Sequence, residues 1–293
     1  MPRVLVTGSA GFIGRHVVRE AQRRGYEVAG IDVVPARGTD VVDITDFRAL
    51  EERVRGCEYV INLAAVTSNV EFERDPYRCY SVNVNGFLNV LEASRRNSVR
   101  KVVYASSAAV YLDSFSENVV IDHNRQRNHY AKSKLMNEMH AASYSDIYGL
   151  RCVGLRLFNV FGPDENQKGD YASIISRFLR DHEEGKDLIV YGDGTQARDF
   201  IHVDDASRII MDILERGEES VYNVGTGRSH RYIDIARAID RERIRFVPNP
   251  LRSYQMLTRA DVTRLRSVSD LSGLTDPFEY IGAALSRRPG QGA

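Results

Sequence analysis

The segment T-G-S-A-G-F-I-G at residues 7–14 constrains this chain more than any other. An apolar run at 4–7 leads into it and a helical pattern follows, so it reads as strand, tight turn and helix. In that setting Gly8 permits the turn, Gly11 lets backbone N–H groups approach a pyrophosphate, and Gly14 lets helix and strand pack closely. Phe12 and Ile13 open the helix, whose N-terminus adds partial positive charge. The spacing is G-x-x-G-x-x-G, and in this context it predicts a dinucleotide-binding turn.

The alternation continues through the first two thirds of the chain. Residues 27–31, 59–64, 101–106 and 151–157 read as short buried strands, with helical patterns at 11–24, 46–55, 75–97 and 130–148. That βαβα order predicts an α/β, Rossmann-type doubly wound parallel sheet with helices on both faces. After Phe158 the rhythm changes, and residues 159–169, rich in Asn, Gly, Pro and Asp, read as a loop. A helix at 172–184, a strand at 188–191 and a turn at 192–194 follow. Then come strand and helix at 199–215, a strand at 222–224 and a helix at 232–239. The expected division is a dinucleotide-binding domain at 1–158, with 199–225 returning to it, and a smaller substrate-binding domain mainly at 159–293. Residues 287–293 read as a frayed tail.

Forty basic residues balance forty acidic ones, so no overall field favours nucleic acid or an anionic membrane as partner. Cys57, Cys79 and Cys152 are the three cysteines; they lie in apolar contexts without metal-ligand spacing. They read as buried free thiols, and no metal centre is expected. The chain enters its first strand without a signal-peptide pattern, and no apolar run reaches about 18 residues, so a soluble, cytoplasmic protein is expected.

Asp32 ends the second strand, where an acid can accept hydrogen bonds from adenosine ribose hydroxyls and repel a 2′-phosphate. This favours NAD over NADP, although Arg37 nearby can take a 2′-phosphate. Asp43 and Ile44 follow a third strand-like piece and are placed to bracket the adenine. Leu63, Ala64 and Ala65 at the next strand end are small enough to line the cofactor.

Tyr130-Ala-Lys-Ser-Lys134 puts a phenol and an ammonium one helical turn apart, facing the same way. A phenol of pKa about 10 is a poor base at neutral pH, and a nearby ammonium is expected to lower that value. Ser107, at a strand end beside Ser106, can hold a substrate hydroxyl or relay its proton. Ser, Tyr and Lys beside a nicotinamide are the kit for moving a hydride on and off a carbinol carbon.

Together these motifs resemble the NAD-dependent epimerase/dehydratase family, the extended branch of the short-chain dehydrogenases/reductases, which act mainly on nucleotide sugars. The resemblance runs from residue 2 to about 240. Besides the glycine turn it covers N-L-A-A at 62–65, N-V-N-G at 83–86, S-S-A-A-V-Y at 106–111, Y-A-K-S-K at 130–134 and R-L-F-N-V-F-G-P at 156–163. It continues through V-Y-G-D-G at 190–194, R-D-F-I-H-V-D-D at 198–205 and N-V-G-T-G at 223–227. It implies that Ser107, Tyr130 and Lys134 are catalytic and that Tyr130, Lys134 and Ser106 also meet NAD. Asn83 would steady the active-site helix beside the cofactor, and Phe158 and Val160 would border nicotinamide and substrate. Asn159 and Arg198 would contact the sugar nucleotide, with Arg252 as a second arm of a phosphate clamp and Thr258 near the sugar's C2 substituent. The resemblance also implies a homodimer through a four-helix interface.

The family pattern departs at Leu112, where Gly is usual, and around Asn128 and His129, where Pro usually precedes the active-site Tyr. Dehydratases of the family carry an acidic pair just after the catalytic Ser or Thr; here those positions are Ala108 and Ala109. The expected activity is therefore nucleotide-sugar epimerisation, UDP-glucose/UDP-galactose 4-epimerase-like and open to N-acetylhexosamines. The closing segment 254–265 resembles that of ADP-heptose epimerases, so that reading stays open, as does a nucleotide-sugar oxidoreductase.

Overall fold

In this computed structural model residues 1–112, 114–119, 121–122, 125–165, 169, 172–249 and 255–286 are described. The expectation for 287–293 and the roles given to Arg252 lie outside them. The first lobe is built on seven parallel strands: β1 (Arg3–Thr7), β2 (Glu27–Asp32), β3 (Thr39–Val41), β4 (Tyr59–Asn62), β5 (Lys101–Ser107), β6 (Arg151–Leu157) and β11 (Val221–Val224). They lie in the order β11-β6-β5-β4-β1-β2-β3, the Rossmann arrangement.

The strand sequences show why both faces are covered. Leu5, Val60 and Val102 pack into one core, while Val4, Val6, Ile61 and Val103 pack into the other. Successive side chains of a strand alternate faces, so each continuous apolar run supplies two cores. Helices α1 (Phe12–Arg23) and α8 (Val203–Arg216) pack together over one face. Helices α2 (Phe47–Val54), α5 (Gly86–Arg96) and α6 (His129–Tyr148) cover the other. Lys101 is buried at the base of β5, and its ammonium donates to the carbonyls of Leu214 and Gly217 at 2.8 and 2.9 Å, closing the C-terminal end of α8.

Several boundaries differ from the sequence reading. β4 stops at Asn62, because the chain after it turns out to form the loop over the sheet end. The single helix expected at 75–97 is α4 (Pro76–Tyr80), a π-turn (Ser81–Asn85) and α5. A π-turn adds one residue without breaking the helix, so it leaves no Gly or Pro signal. Residues 159–161, expected in a loop, form strand β7 (Asn159–Phe161), which pairs with β10 (Phe200–His202). Helix α3 (Asn69–Arg74), which the sequence did not announce, starts at the Ser68 cap.

The second lobe has α7 (Ile174–Glu183), β8 (Leu188–Tyr191), β9 (Ala197–Arg198), β12 (His230–Arg231), α9 (Tyr232–Ile239), β13 (Ile244–Val247) and α10 (Pro277–Ser286). A third core of Phe161, Phe178, Val190, Phe200 and Ile235 holds it together. The three cysteines are free and buried. Among the described residues no helix is long and apolar enough to cross a membrane.

Candidate active site

A parallel sheet exposes a crevice where strand order reverses, here between β1 and β4. A cleft of about 600 Å³ opens there, at the carboxyl ends of the strands. It runs from the glycine turn past Leu63 and Ala65 to Ser107, Tyr130 and Lys134, with Phe158 and Val160 on its far side.

Two glycines are required by close approach. Gly8 has φ +70° and its Cα faces the chain leaving β4, so a Cβ would lie 2.7 Å from Ala64 N. At Gly14 a Cβ would collide with Gly8 O. The turn therefore lies against the chain leaving β4, and Gly11 stands at the N-terminal cap of α1 with no side chain capping it. Backbone N–H groups in such a cradle suit a pyrophosphate, so the residues present fit a dinucleotide. Asp32 Oδ2 accepts from Ala10 N at 3.0 Å and its Oδ1 from Val34 N at 3.0 Å, which ties β2 to the turn.

At the other end, the Asn128 side chain caps α6 by accepting from Ala131 N at 3.0 Å. Gln126 stitches the approach to α6 onto the turn after Ser107. Its Nε2 donates to Ala109 O at 3.1 Å, and its Oε1 accepts from Arg127 N at 3.0 Å. Lys134 Nζ is buried and donates to Ala105 O at 2.8 Å. Burial lowers its pKa to about 8. Tyr130 receives a hydrogen bond from the Ser107 hydroxyl, which favours its ionised form, but burial dominates and pushes the phenol up. The lowering expected from Lys134 is not found in the protein alone: burial raises the phenol, and the influence that opposes it is the Ser107 hydrogen bond.

Of the residues singled out by sequence, Gly8, Gly11, Phe12, Ile13, Gly14, Leu63, Ala65, Ser106, Ser107, Tyr130, Lys134, Phe158 and Val160 line the cleft. Ser106 does so with its hydroxyl turned away, donating to Glu138 Oε1 at 2.6 Å. Asn83 sits in the π-turn. Its amide spans Val66, accepting from N at 2.7 Å and donating to O at 2.9 Å, and reaches Ser133 Oγ on α6 at 3.1 Å. Asp32, Asp43, Ile44, Ala64, Asn159, Arg198 and Thr258 are not among the lining residues. Ile44 is in the core against Gly86, and Asp43 accepts from Thr45 N at 2.8 Å. Asn159 donates to Asp199 O at 3.2 Å. Arg198 is buried, donates to Ala197 O at 2.9 Å and sits 5.6 Å from the Tyr232 ring centroid. Thr258 is buried against the Ala197–Arg198 strand, with its N–H on Ala197 O at 3.0 Å.

Sequence reasoning missed Thr67, Ser68, Asn69 and Val70, which also line the cleft. The signal was available: the loop after β4 leaves the carboxyl end of a strand beside the switch point. It also missed Asp199. This buried carboxylate accepts from Thr226 N and Oγ1 at 2.9 and 2.7 Å, Gly227 N at 2.8 Å and Ala260 N at 3.0 Å. It clamps the second lobe's segments to the end of β11.

The sequence profile of the NAD dependent epimerase/dehydratase family matches residues 4–225, from the first strand of the sheet to the end of β11. The chain belongs to this family. NAD is accordingly its cofactor. Among curated relatives, ADP-L-glycero-D-manno-heptose-6-epimerase of Alkalilimnicola ehrlichii is 34% identical over 295 residues, 90% of each chain. Among solved structures, the Thermus thermophilus UDP-glucose 4-epimerase in complex with NAD is 29% identical, with TM-score 0.81 over 97% of this chain and 99% of that one. The UDP-N-acetylglucosamine 4-epimerase of Methanobrevibacter ruminantium, in complex with UDP-N-acetylmuramic acid, is 27% identical, with TM-score 0.83 over 96% of both. The two solved structures share this chain's fold over almost its whole length.

Proposed function

We propose that this protein is a nucleotide-sugar epimerase that inverts C4 of UDP-glucose or UDP-galactose through a transient 4-keto sugar. The observation that carries the reading is the grouping of Ser107, Tyr130 and Lys134 in the cleft that begins at the glycine turn. Bound NAD supplies a hydride acceptor that can give the hydride back. The protein's own residues do the rest. Tyr130 takes the proton of the C4 hydroxyl and later returns one, and Ser107 orients both oxygens. Lys134, one turn along α6, offsets negative charge on the phenolate. Ala108 and Ala109 follow Ser107 directly and carry no proton, so nothing there expels water as a dehydratase must.

Residues 1–158 with 199–225 then hold NAD, while Asn159, Arg198 and Arg252 serve the nucleotide. Met136, Met139 and Ile147 form an exposed apolar stripe along α6, which suits a homodimer built on α5 and α6. A second reading, an ADP-heptose-type epimerase, is favoured by the 34% identical relative and by the closing segment. Incubation with UDP-, GDP-, ADP- and dTDP-sugars, followed by chromatography of the products, tests both. Interconversion of UDP-glucose and UDP-galactose supports the first, turnover of ADP-heptose alone replaces it with the second, and stoichiometric consumption of free NAD(H) refutes both.

A further inference from the structure

Three consecutive residues at the end of β5 dock onto three successive turns of α6. Ser107 hydrogen-bonds the Tyr130 phenol, Ala105 O accepts from Lys134 Nζ at 2.8 Å, and Ser106 Oγ donates to Glu138 Oε1 at 2.6 Å. Tyr130, Lys134 and Glu138 are spaced i, i+4, i+8 and form one stripe on the helix. The first two contacts belong to the site already described. The third does not, because its hydroxyl points away from the cleft.

Glu138 is gripped from behind. Arg156 on β6 donates from Nε to Oε1 at 3.0 Å and from Nη2 to Oε2 at 2.7 Å. Its Nη1 donates to Tyr111 Oη at 2.8 Å, and Tyr111 Oη donates to Asn223 Oδ1 on β11 at 2.7 Å. Asn223 Nδ2 in turn holds the carbonyls of Phe115 and Asp261 at 2.7 and 3.0 Å. Arg156 and Tyr111 are 5% and 1% exposed. A buried bidentate ion pair extended by hydrogen bonds is geometrically stiff.

The helix needs such a brace. Besides Leu135, the residues α6 buries are Ala131, Ser133, Lys134, Asn137 and Ala141. Small and polar side chains interlock less than large apolar ones, so apolar packing defines the register of α6 on the sheet only weakly. A displacement of about 1 Å along the helix is enough to spoil alignment at a reacting group.

We propose that Ser106 and Glu138 are positioning residues, which lock the register of α6 against β5 so that the Tyr130 phenol meets Ser107. The proposal rests on the reading of Tyr130 as the proton-transfer group. The groups facing that phenol are Ser107 from β5, Lys134 from α6 and the Phe72 ring from α3. Those facing Glu138 are Ser106 and the buried Tyr104 phenol from β5 and Arg156 from β6. Without the Ser106 bond Arg156 still ties Glu138 to β6, but no side chain of β5 holds it; α6 then shifts relative to β5, Ser107 no longer donates to Tyr130, and the phenolate is less favoured.

The test is Ser106→Ala in the NAD-bound protein. The phenol is followed by NMR of [13Cζ]tyrosine, with Tyr130→Phe identifying its resonance. The expected result is an upward shift of the Tyr130 titration by about one unit, with about a tenfold lower kcat at pH 7 and unchanged KM, since one pKa unit is tenfold in phenolate. Ser106→Thr, which keeps the hydroxyl, restores both. Ser107→Ala gives a similar shift, and adding Ser106→Ala to it gives none further. A Tyr130 titration unmoved by Ser106→Ala, or shifts of the two variants that simply add, overturns the proposal. The NMR arm needs no substrate, so it decides the positioning role even if the nucleotide-sugar panel shows no turnover and the proposed activity fails.

Discussion

Lys134 holds an ammonium that is 2% exposed and donates to Ala105 O at 2.8 Å, which makes its replacement by methionine a quantitative test of how this site is built. Burial lowers its pKa from 10.5 to about 8. In the unfolded chain the amine keeps its ordinary value, so between pH 8 and 10.5 the unfolded state binds more protons than the folded one. Stability contributed by this group is therefore fully present above about pH 10.5 and is lost as pH falls towards 8. At neutral pH the penalty for keeping the charge buried is about 3 kcal/mol, from about 2.5 units at 1.36 kcal/mol each. Methionine matches the stem in volume and removes that penalty, but it leaves Ala105 O without its donor, at about 1 kcal/mol. Lys134→Met is thus expected to stabilise nucleotide-free protein by about 2 kcal/mol at pH 6–7 while abolishing turnover. The gain shrinks as pH rises and changes sign at about pH 10, where the remaining burial penalty equals the lost hydrogen bond; above that the lost hydrogen bond dominates. Urea denaturation of both proteins from pH 6 to 10.5 measures the difference. A variant less stable than the parent at pH 7, or a difference independent of pH, refutes the reasoning.

Tyr130→Phe keeps the ring against Phe72 and removes the proton-transfer atom, so turnover is expected to fall by about 10² to 10⁴-fold with nucleotide-sugar affinity unchanged, checked by kinetics and calorimetry. Asp32→Ala removes the acceptor for Ala10 N; if Asp32 also accepts from the adenosine ribose, as its place at the end of β2 predicts, NAD affinity drops by about 1.5–3 kcal/mol in titration, with NADP affected less. Because Thr258 is 4% exposed on the Ala197 backbone, Thr258→Tyr is expected to cost about 1–3 kcal/mol of stability by overpacking, read by thermal denaturation, rather than to discriminate N-acetylated from plain hexoses. Light scattering at micromolar concentration is expected to give the mass of a dimer, and Met136→Glu with Met139→Glu, on the exposed stripe of α6, is expected to give a monomer.

Period and punctuation carried most of the fold into the sequence. The apolar runs of β1, β4 and β5 and the helical patterns between them dictate a parallel sheet covered twice. The glycine turn marks where its crevice opens, because no side chain fits between Gly8 and Ala64. The grouping of Ser107, Tyr130 and Lys134 in one cleft was legible for the same reason: strand end and helical spacing are local properties. What lay beyond the sequence depends on partners distant in the chain. β7 is a strand only because β10, some forty residues later, supplies its hydrogen bonds, while the Gly and Pro that follow it at 162 and 163 suggest a loop. The π-turn at Ser81–Asn85 re-aims Asn83 without altering composition. Ser106 resembles its neighbour on paper, yet folding sends one hydroxyl to Tyr130 and the other to Glu138, where Arg156 waits on the next strand. Spacing along the chain determined which groups the protein possesses; burial and long-range pairing decided the proton affinity of Tyr130 and Lys134, because desolvation is a property of the packed interior and not of the sequence.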